Sequence, residues 1–547
     1  MSVPDFSTQG SLFSVAAITA SLFPADDRYR LFAQRIFPCL VRCRPRLEKA
    51  YKAGSGRNGI EPVLLLGVSL LQYLDGVPDR QALEWLRYHA GWNFALNRQL
   101  GDAGFHPTTL CRFRDRLEEH GLSEICFQAV LDGLVEAGLV RRNARQRLDS
   151  THVLGQVRRM SRVDGVRQTL RLALEDLDDV LPPDQRPEAW SNWWSLYVES
   201  RLDYRAGAES LGRKLSECGV DACQLLEWIA SHPQWDARDS VQLLRRVFAE
   251  QFLVENGSLR PRGKGELDSG RVQNPLDPDA TYAVKIRDGE SKAHVGYKAQ
   301  VAETVVERVL EAAEPTANFV TGVVIQPAHH SDEAGLEAME PAQASLGMEA
   351  PPTLYVDGAY VSAARLVEME ARGQELMGPA QAPPRRKPDQ LASDEFDVDV
   401  SARRAICPAG RANDQCSRLE SQQAVQYRFE WNRSTCAECT LRTQCLGSKL
   451  KSRTLVVGEF HTALQRRRKE QQTEEFRRRM HHRNAIEGTQ SELVRAHGLR
   501  RARYRGLGRV QLQGWFAGAA CNAKRWLRRV AWELSKATTS PAPQALG

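Results

Sequence analysis

The sequence predicts an α/β protein whose mixed core is flanked by helical regions on both sides. Three observations predict this. Short strand-like runs at 146–153, 294–301, 319–325 and 354–360 alternate with helical periodicity through the middle of the chain. Residues 25–140 read as helical, and so do 483–497 and 507–534. At 547 residues the chain is too long for one compact core, so roughly two to four domains are expected.

Taken in order, Pro62 opens an apolar run, and Asp79 is placed to cap a helix carrying Leu83, Trp85 and Leu86. In the next helix Thr108 reads as the N-cap, with Leu110, Phe113 and Leu117 on one face and Arg112, Arg114 and Arg116 on the others. A short arginine-faced helix after two others fits a helix-turn-helix DNA reader, and an ordinary solvated amphipathic helix fits equally well. The run 146–153 reads as a strand with Leu148 and Val153 flanking polar residues. Helical patterns return from 158, with Trp190, Trp193, Trp194 and Leu196 as core residues, and end in a Gly/Pro/Arg-rich linker at 260–274. The expected division is 1–140 helical and DNA-binding, 141–157 first core strand, 158–289 mainly helical insertion and linker, and 290–380 core. A cysteine-rich insertion at 381–455, C-terminal basic helices at 456–536 and a disordered tail at 537–547 complete it.

The net charge is only +7, but residues 451–536 hold 21 Lys/Arg against 7 Asp/Glu, so the rest of the chain is net acidic. A basic block of this kind ordinarily faces phosphates. The apolar stretch 11–23 has no basic residue before it, so no secretory signal is read, and the longest apolar run, 63–71, is far too short to span a bilayer. A cytoplasmic protein with reduced thiols is expected, which turns closely spaced cysteines into metal ligands rather than disulfides.

Three acids stand out. Asp149 lies within a strand, where a charge is disfavoured unless paired or liganded. Asp357 ends the run Leu354-Tyr355-Val356 and precedes Gly358, and Glu487 shares a helical face with Arg483 four residues earlier. Carboxylates on two strands and a helix can hold two Mg²⁺ or Mn²⁺ ions about 4 Å apart for phosphodiester chemistry. Taken singly, a strand-end Asp before Gly is also a common turn, and Arg-x-x-x-Glu a common surface ion pair. His329, His330 and Asp332 read as a turn and helix cap, and His481 and His482 as solvated.

Cys407, Cys436, Cys439 and Cys445, with Cys416 in reserve, have the spacing of a structural Zn²⁺ site. The other cysteines read as packing residues. Arg500, Arg501, Arg503 and Arg505 alternate with Leu499, Ala502 and Tyr504 immediately after the Glu487 helix, forming a phosphate-binding strip.

Several segments together carry a family resemblance. They are Arg147-Leu148-Asp149-Ser150-Thr151-His152-Val153, Asn274-Pro275 to Asp279, Val295-Gly296-Tyr297-Lys298, Tyr355-Val356-Asp357-Gly358-Ala359-Tyr360-Val361, Arg483-Asn484-Ala485-Ile486-Glu487-Gly488, and the run from His497 to Gly506. With the helix around Thr109-Leu110-Cys111-Arg112-Phe113-Arg114 and the cysteine pattern, the chain resembles the DDE transposases of bacterial insertion sequences. The likeness is to the eleven-eighty-two family, with an InsH-type N-terminal domain. It departs in two places: Met480 stands where related proteins carry the Tyr of Tyr-x-x-Arg-x-x-x-Glu, and the basic residue downstream of the Glu is represented by Arg495 at slightly shifted spacing.

The resemblance implies an RNase H-like catalytic core with Asp149, Asp357 and Glu487 as catalytic residues holding two Mg²⁺ or Mn²⁺ ions. It also implies DNA contacts from Arg112, Arg114, Arg483, Arg495 and the arginine strip. The implied reaction is cleavage at transposon ends and strand transfer into target DNA, with no covalent enzyme intermediate. The partner is double-stranded DNA, at least a dimer is expected in the synaptic complex, and the location is the bacterial nucleoid. The alternatives are a catalytically inactive DNA-binding repressor from a decayed element, and an RNase H-like nuclease that cuts without joining.

Overall fold

The computed structural model describes residues 3–4, 18–52, 58–98, 104–200, 208–255, 257–287, 290–308, 310–311, 313–385, 389–421, 424–446 and 450–539. After short helical segments between Ala20 and Glu48, α1 (Pro62–Asp75) begins with proline in its first turn, and the Glu61 side chain accepts from Val63 N. Gly76, left-handed at φ 68°, ends it. Then come α2 (Asp79–Tyr88), α3 (Thr108–Glu119) and α4 (Ile125–Glu136). Neither expected cap is one: Asp79 and Thr108 are the first helical residues, and the caps are Pro78 and Pro107.

β1 (Gln146–Leu154) leads into an insertion of α5 (Arg162–Asp178), α6 (Ala208–Ala230) and α7 (Asp239–Gln251). This insertion has its own apolar core, in which Trp190 and Trp193 are buried and Trp194 is half-buried. Leu196, expected inside, is 40% exposed because it faces outward on the turn that follows the tryptophans.

β2 (Thr281–Arg287) and β3 (Glu290–Thr304) form an antiparallel hairpin. The sequence reading had placed 281–287 in the insertion; its pairing with β3 makes it part of the core sheet. β4 (Val320–Pro327), α8 (Asp332–Ser345), β5 (Thr353–Tyr355), α9 (Ala363–Ala371) and β6 (Glu375–Met377) complete the core. The sheet runs β2-β3-β1-β5-β6, with β4 also paired to β3. β1 is antiparallel to β3 and parallel to β5, and β6 is parallel to β5. Gly296 sits where a Cβ would lie 2.2 Å from Val153 O, so only glycine lets β1 and β3 approach there.

Beyond β6, β7 (Gln415–Ser421), β8 (Ala424–Glu430) and β9 (Thr454–Gly458) form a three-stranded sheet over a small core of Phe396, Phe429 and Trp431. Four helices follow: α10 (His461–Glu470), α11 (Glu474–Asn484), α12 (Ile486–Arg495) and α13 (Leu507–Thr539). The helix expected over 483–497 is divided at Ala485. α13 extends three residues into the segment expected to be a disordered tail, and 540–547 lie outside the described residues. Its apolar face packs against α1, α4 and β4, so the N-terminal helices and one face of the sheet share a single core. The opposite face, with Leu148 and Ala302, packs on α8 and α9.

Candidate active site

β1 runs between β3 and β5, and it carries Asp149 opposite Val301. Asp149 is buried, and its Oδ1 accepts from Ser150 N at 2.8 Å. Asp357 lies two residues past β5, half-buried, where Oδ1 accepts from Ala359 N at 2.8 Å. The two carboxylates share one cation: Arg483 Nη2, in the last turn of α11, is 3.0 Å from Asp149 Oδ2 and 3.7 Å from Asp357 Oδ2.

Glu487 is exposed in the first turn of α12. Arg483, four residues before it at the end of α11, and Gln490, three residues after it on α12, both reach β1, Arg483 through Asp149 and Gln490 by donating to Ser150 O at 3.1 Å. The first two acids are therefore joined through Arg483, and Glu487 stands between two residues anchored to the same strand.

Burial pushes the Asp149 carboxyl pKa up; Arg483 and the Ser150 N–H oppose this, and Asp357 and Asp332 reinforce it. Asp332 was read as part of a helix cap, but the cap is Ser331, whose side chain accepts from Ala334 N. Asp332 instead takes Lys298 Nζ at 3.1 Å and Gln300 Nε2 at 3.3 Å. Buried Tyr360 donates to Gln300 Oε1 at 2.5 Å, and its hydroxyl pKa is raised by burial and by Asp332, Asp149 and Asp357. Sequence reasoning did not single out Gln300 or Tyr360. Tyr360 lay in a quoted motif, and Gln300 gave no signal beyond a polar residue in an apolar strand.

Behind Asp149 lies a buried ionic network that was also missed. Arg147 donates to Glu303 at 2.6 Å and to His482 O at 2.5 Å. Glu303 also accepts from Thr489 Oγ1 at 2.6 Å and Arg525 Nη1 at 3.1 Å, which fastens α11, α12 and α13 to the sheet.

The arginine strip begins where β1 ends. Leu154 N donates to Arg500 O at 2.9 Å and Ala502 N to Leu154 O at 2.8 Å, a parallel bridge that prolongs the strand. Arg500, Arg501 and Arg505 are exposed, and Arg503 lies over the Tyr73 ring at 4.4 Å. The Asn274–Asp279 motif secures the far end, because Asp277 accepts from Gly506 N at 3.1 Å and Asp279 from Leu507 N at 2.8 Å.

Arg112 and Arg495 are exposed. Arg114, expected to face DNA, is instead 3% exposed: its guanidinium is spent on Asp79 Oδ1 at 2.6 Å and Gln72 Oε1 at 3.1 Å. A cation buried in such a pair is out of reach of a phosphate, so Arg114 leaves the DNA-facing set. Cys111, taken as a packing residue, is exposed on the same helix.

Cys407, Cys436, Cys439 and Cys445 line one cavity of about 20 Å³, which Cys416 does not reach. Among the described residues, the donors of Glu492, His497 and Cys521 lie within 4.8 Å of one another, a spacing the four cysteines do not meet. Glu492 is already neutralised by Lys524 and Arg525, each at 3.0 Å, so its charge balance leaves no need for a metal ion.

Two family models match the chain. One, described as a Transposase DDE domain, covers residues 406–527, and the other, described as a Transposase domain (DUF772), covers 18–116. Both matched models are transposase domains, one of them the DDE domain. In this transposase the first match holds Glu487, the arginine strip and the four clustered cysteines; Asp149 and Asp357 lie outside both matches. No curated protein and no solved structure matched it. Among the described residues of the transposase, no helix is long and apolar enough to cross a membrane.

Proposed function

We propose that this transposase binds the ends of an insertion sequence and carries out metal-dependent DNA cleavage and strand transfer at Asp149, Asp357 and Glu487. The single observation that carries this reading is the Arg483 guanidinium shared between Asp149 and Asp357 one turn before Glu487. Carboxylates gathered around one cation are a set of hard oxygen donors that a divalent ion can also satisfy. Strand order and direction support an RNase H-like core: β1 lies between an antiparallel and a parallel neighbour, with Asp149 on it and Asp357 past the parallel one. The eleven-eighty-two and InsH-type assignments rest on the sequence motifs.

Mg²⁺ or Mn²⁺ held by the three acids would supply Lewis-acid polarisation of the scissile phosphate and activation of the attacking oxygen. The chain's own residues do the rest. Asp149 is fixed by its strand and the Ser150 N–H, and Arg483 holds Asp149 and Asp357 together until the carboxylates are liganded. Arg500, Arg501 and Arg505 position the DNA backbone beside the acids, joined by Arg112 and Arg495 on other surfaces. The four cysteines around their small cavity suit structural Zn²⁺, with Cys407 rather than Cys416 as the fourth ligand; an ion there would draw the thiolates inward. Pairing of two ends requires at least a dimer, acting in the bacterial nucleoid.

The test incubates purified protein with labelled transposon-end duplex and Mg²⁺ or Mn²⁺, comparing wild type with Asp149→Asn. Cleavage and joined product from wild type alone are expected. Equal cleavage by both proteins would overturn the catalytic assignment, and cutting without joining would make the protein a nuclease.

A further inference from the structure

Two histidines lie outside the acid cluster. His152 follows Asp149 by three residues on β1, and His294 lies on β3. Their rings meet edge to face with centroids 4.2 Å apart. His152 Nδ1 and His294 Nε2 are both buried and without a hydrogen-bond partner. Two such nitrogens left unsatisfied are costly unless a ligand satisfies them.

The surroundings state which sign of ligand fits. Lys298 is the cross-strand partner of His152. Arg500 lies against the same strand and donates to His152 O at 3.5 Å. Lys285, exposed on β2, completes the set. Of these cations, Lys298 is partly spent on Asp332 at 3.1 Å and on His330 O at 2.7 Å, while Lys285 and Arg500 are exposed. Burial first, then His294 and these cations, hold the His152 imidazole down at about 4, and burial with the same cations lowers His294 as well. Paired imidazoles can serve a transition metal, but three flanking cations repel one; the same cations attract an anion.

We infer that His152 and His294, with Lys285, Lys298 and Arg500, form a seat for one phosphodiester group of DNA, at the end of β1 beyond the acid cluster. The anion chemistry stands on the cluster itself, and its identity as DNA rests on the proposed function. Three residues of extended strand put His152 about 10 Å along β1 from Asp149 and on the other face of the sheet, so the seat would hold a DNA phosphate remote from the scissile one. An anion in the seat favours protonated imidazoles, so binding takes up protons and strengthens as pH falls.

The experiment measures anisotropy of a fluorescent duplex with full-length wild type, H152Q/H294Q and K285Q at pH 7.5 and 5.5. If a bound imidazole titrates near its ordinary value, wild type should bind about tenfold more tightly at pH 5.5. The double variant should lose that gain. K285Q, which leaves the packed rings in place, should weaken binding severalfold at both pH values. An equal pH gain in wild type and double variant would overturn the proposal. If wild type binds no duplex, the DNA reading fails and inorganic phosphate decides: both histidine NMR signals should shift with their pKa values rising, and unmoved signals would sink the anion seat.

Discussion

Arg147 on β1 and Glu303 on β3 form an ion pair of 2.6 Å in which the side chains are 3% and 0% exposed. Glu303 also carries Arg525, so one carboxylate balances two buried guanidinium groups and joins the sheet to the C-terminal helices. Glu303→Gln leaves Arg147 uncompensated and Arg525 with Glu492 alone, and should destabilise the fold by about 3–5 kcal/mol. Removing the exposed Arg171–Glu175 pair as a control should cost under about 0.5 kcal/mol. Urea unfolding of the three proteins checks this, and a Glu303→Gln curve matching wild type would contradict it.

Glu487→Gln should abolish metal-dependent cleavage while leaving melting temperature and duplex affinity near wild type, because the side chain is exposed and supports no packing. Arg483→Ala should behave differently. It removes the shared cation from Asp149 and Asp357, so the apo protein should lose stability and regain part of it on adding Mg²⁺. Melting curves with and without Mg²⁺ separate the two variants.

His461 is buried at the start of α10, where burial and Arg468 hold its pKa down at about 4. A histidine depressed below its ordinary value contributes stability that is present above about pH 6.5 and is lost as pH falls toward the folded value. Unfolding midpoints should therefore drop between pH 6.5 and about 4, and His461→Gln should flatten the slope. A variant as pH-sensitive as wild type would remove His461 from the explanation.

Zinc analysis of purified protein should find about one equivalent, and Cys436→Ser should lower both the content and the melting temperature. Cys416→Ser should change neither, since Cys416 lies outside the shared cavity. Metal loss in the Cys416 variant alone would reverse the ligand choice.

Duplex affinity should fall steeply with salt. Each of Arg500→Ala and Arg505→Ala should reduce the slope of log affinity against log salt by roughly 0.9, with little change in sequence preference. A slope unaltered by both changes would take the strip out of the interface.

Legibility followed the chemistry of each signal. Periodicity exposed the core strands because Leu148 and Val153 bury opposite faces of β1, and it exposed α13 through its apolar stripe. It missed β2, whose residues 282–285 are partly or fully exposed and which follows a Pro/Asp-rich stretch. Asp149 was readable since a carboxylate inside a strand needs a partner. That partner, Arg483, could be seen only as a helical neighbour of Glu487, since no local pattern reports a contact between residues so distant in the chain. Arg114 misled for the same reason: an arginine on a helix reads as a solvated cation until Asp79 and Gln72 close over it. Glu303 was silent, because a buried charge network has no periodicity of its own.

The bridge between Leu154 and Arg501 bears on how the protein can fail. The first acid and the arginine strip belong to one continuous edge, assembled from opposite ends of the translated chain. A premature stop anywhere between them would leave β1 without the segment that prolongs it and the acids without their basic border. Half-length products of a damaged gene should therefore be inert, not partly active.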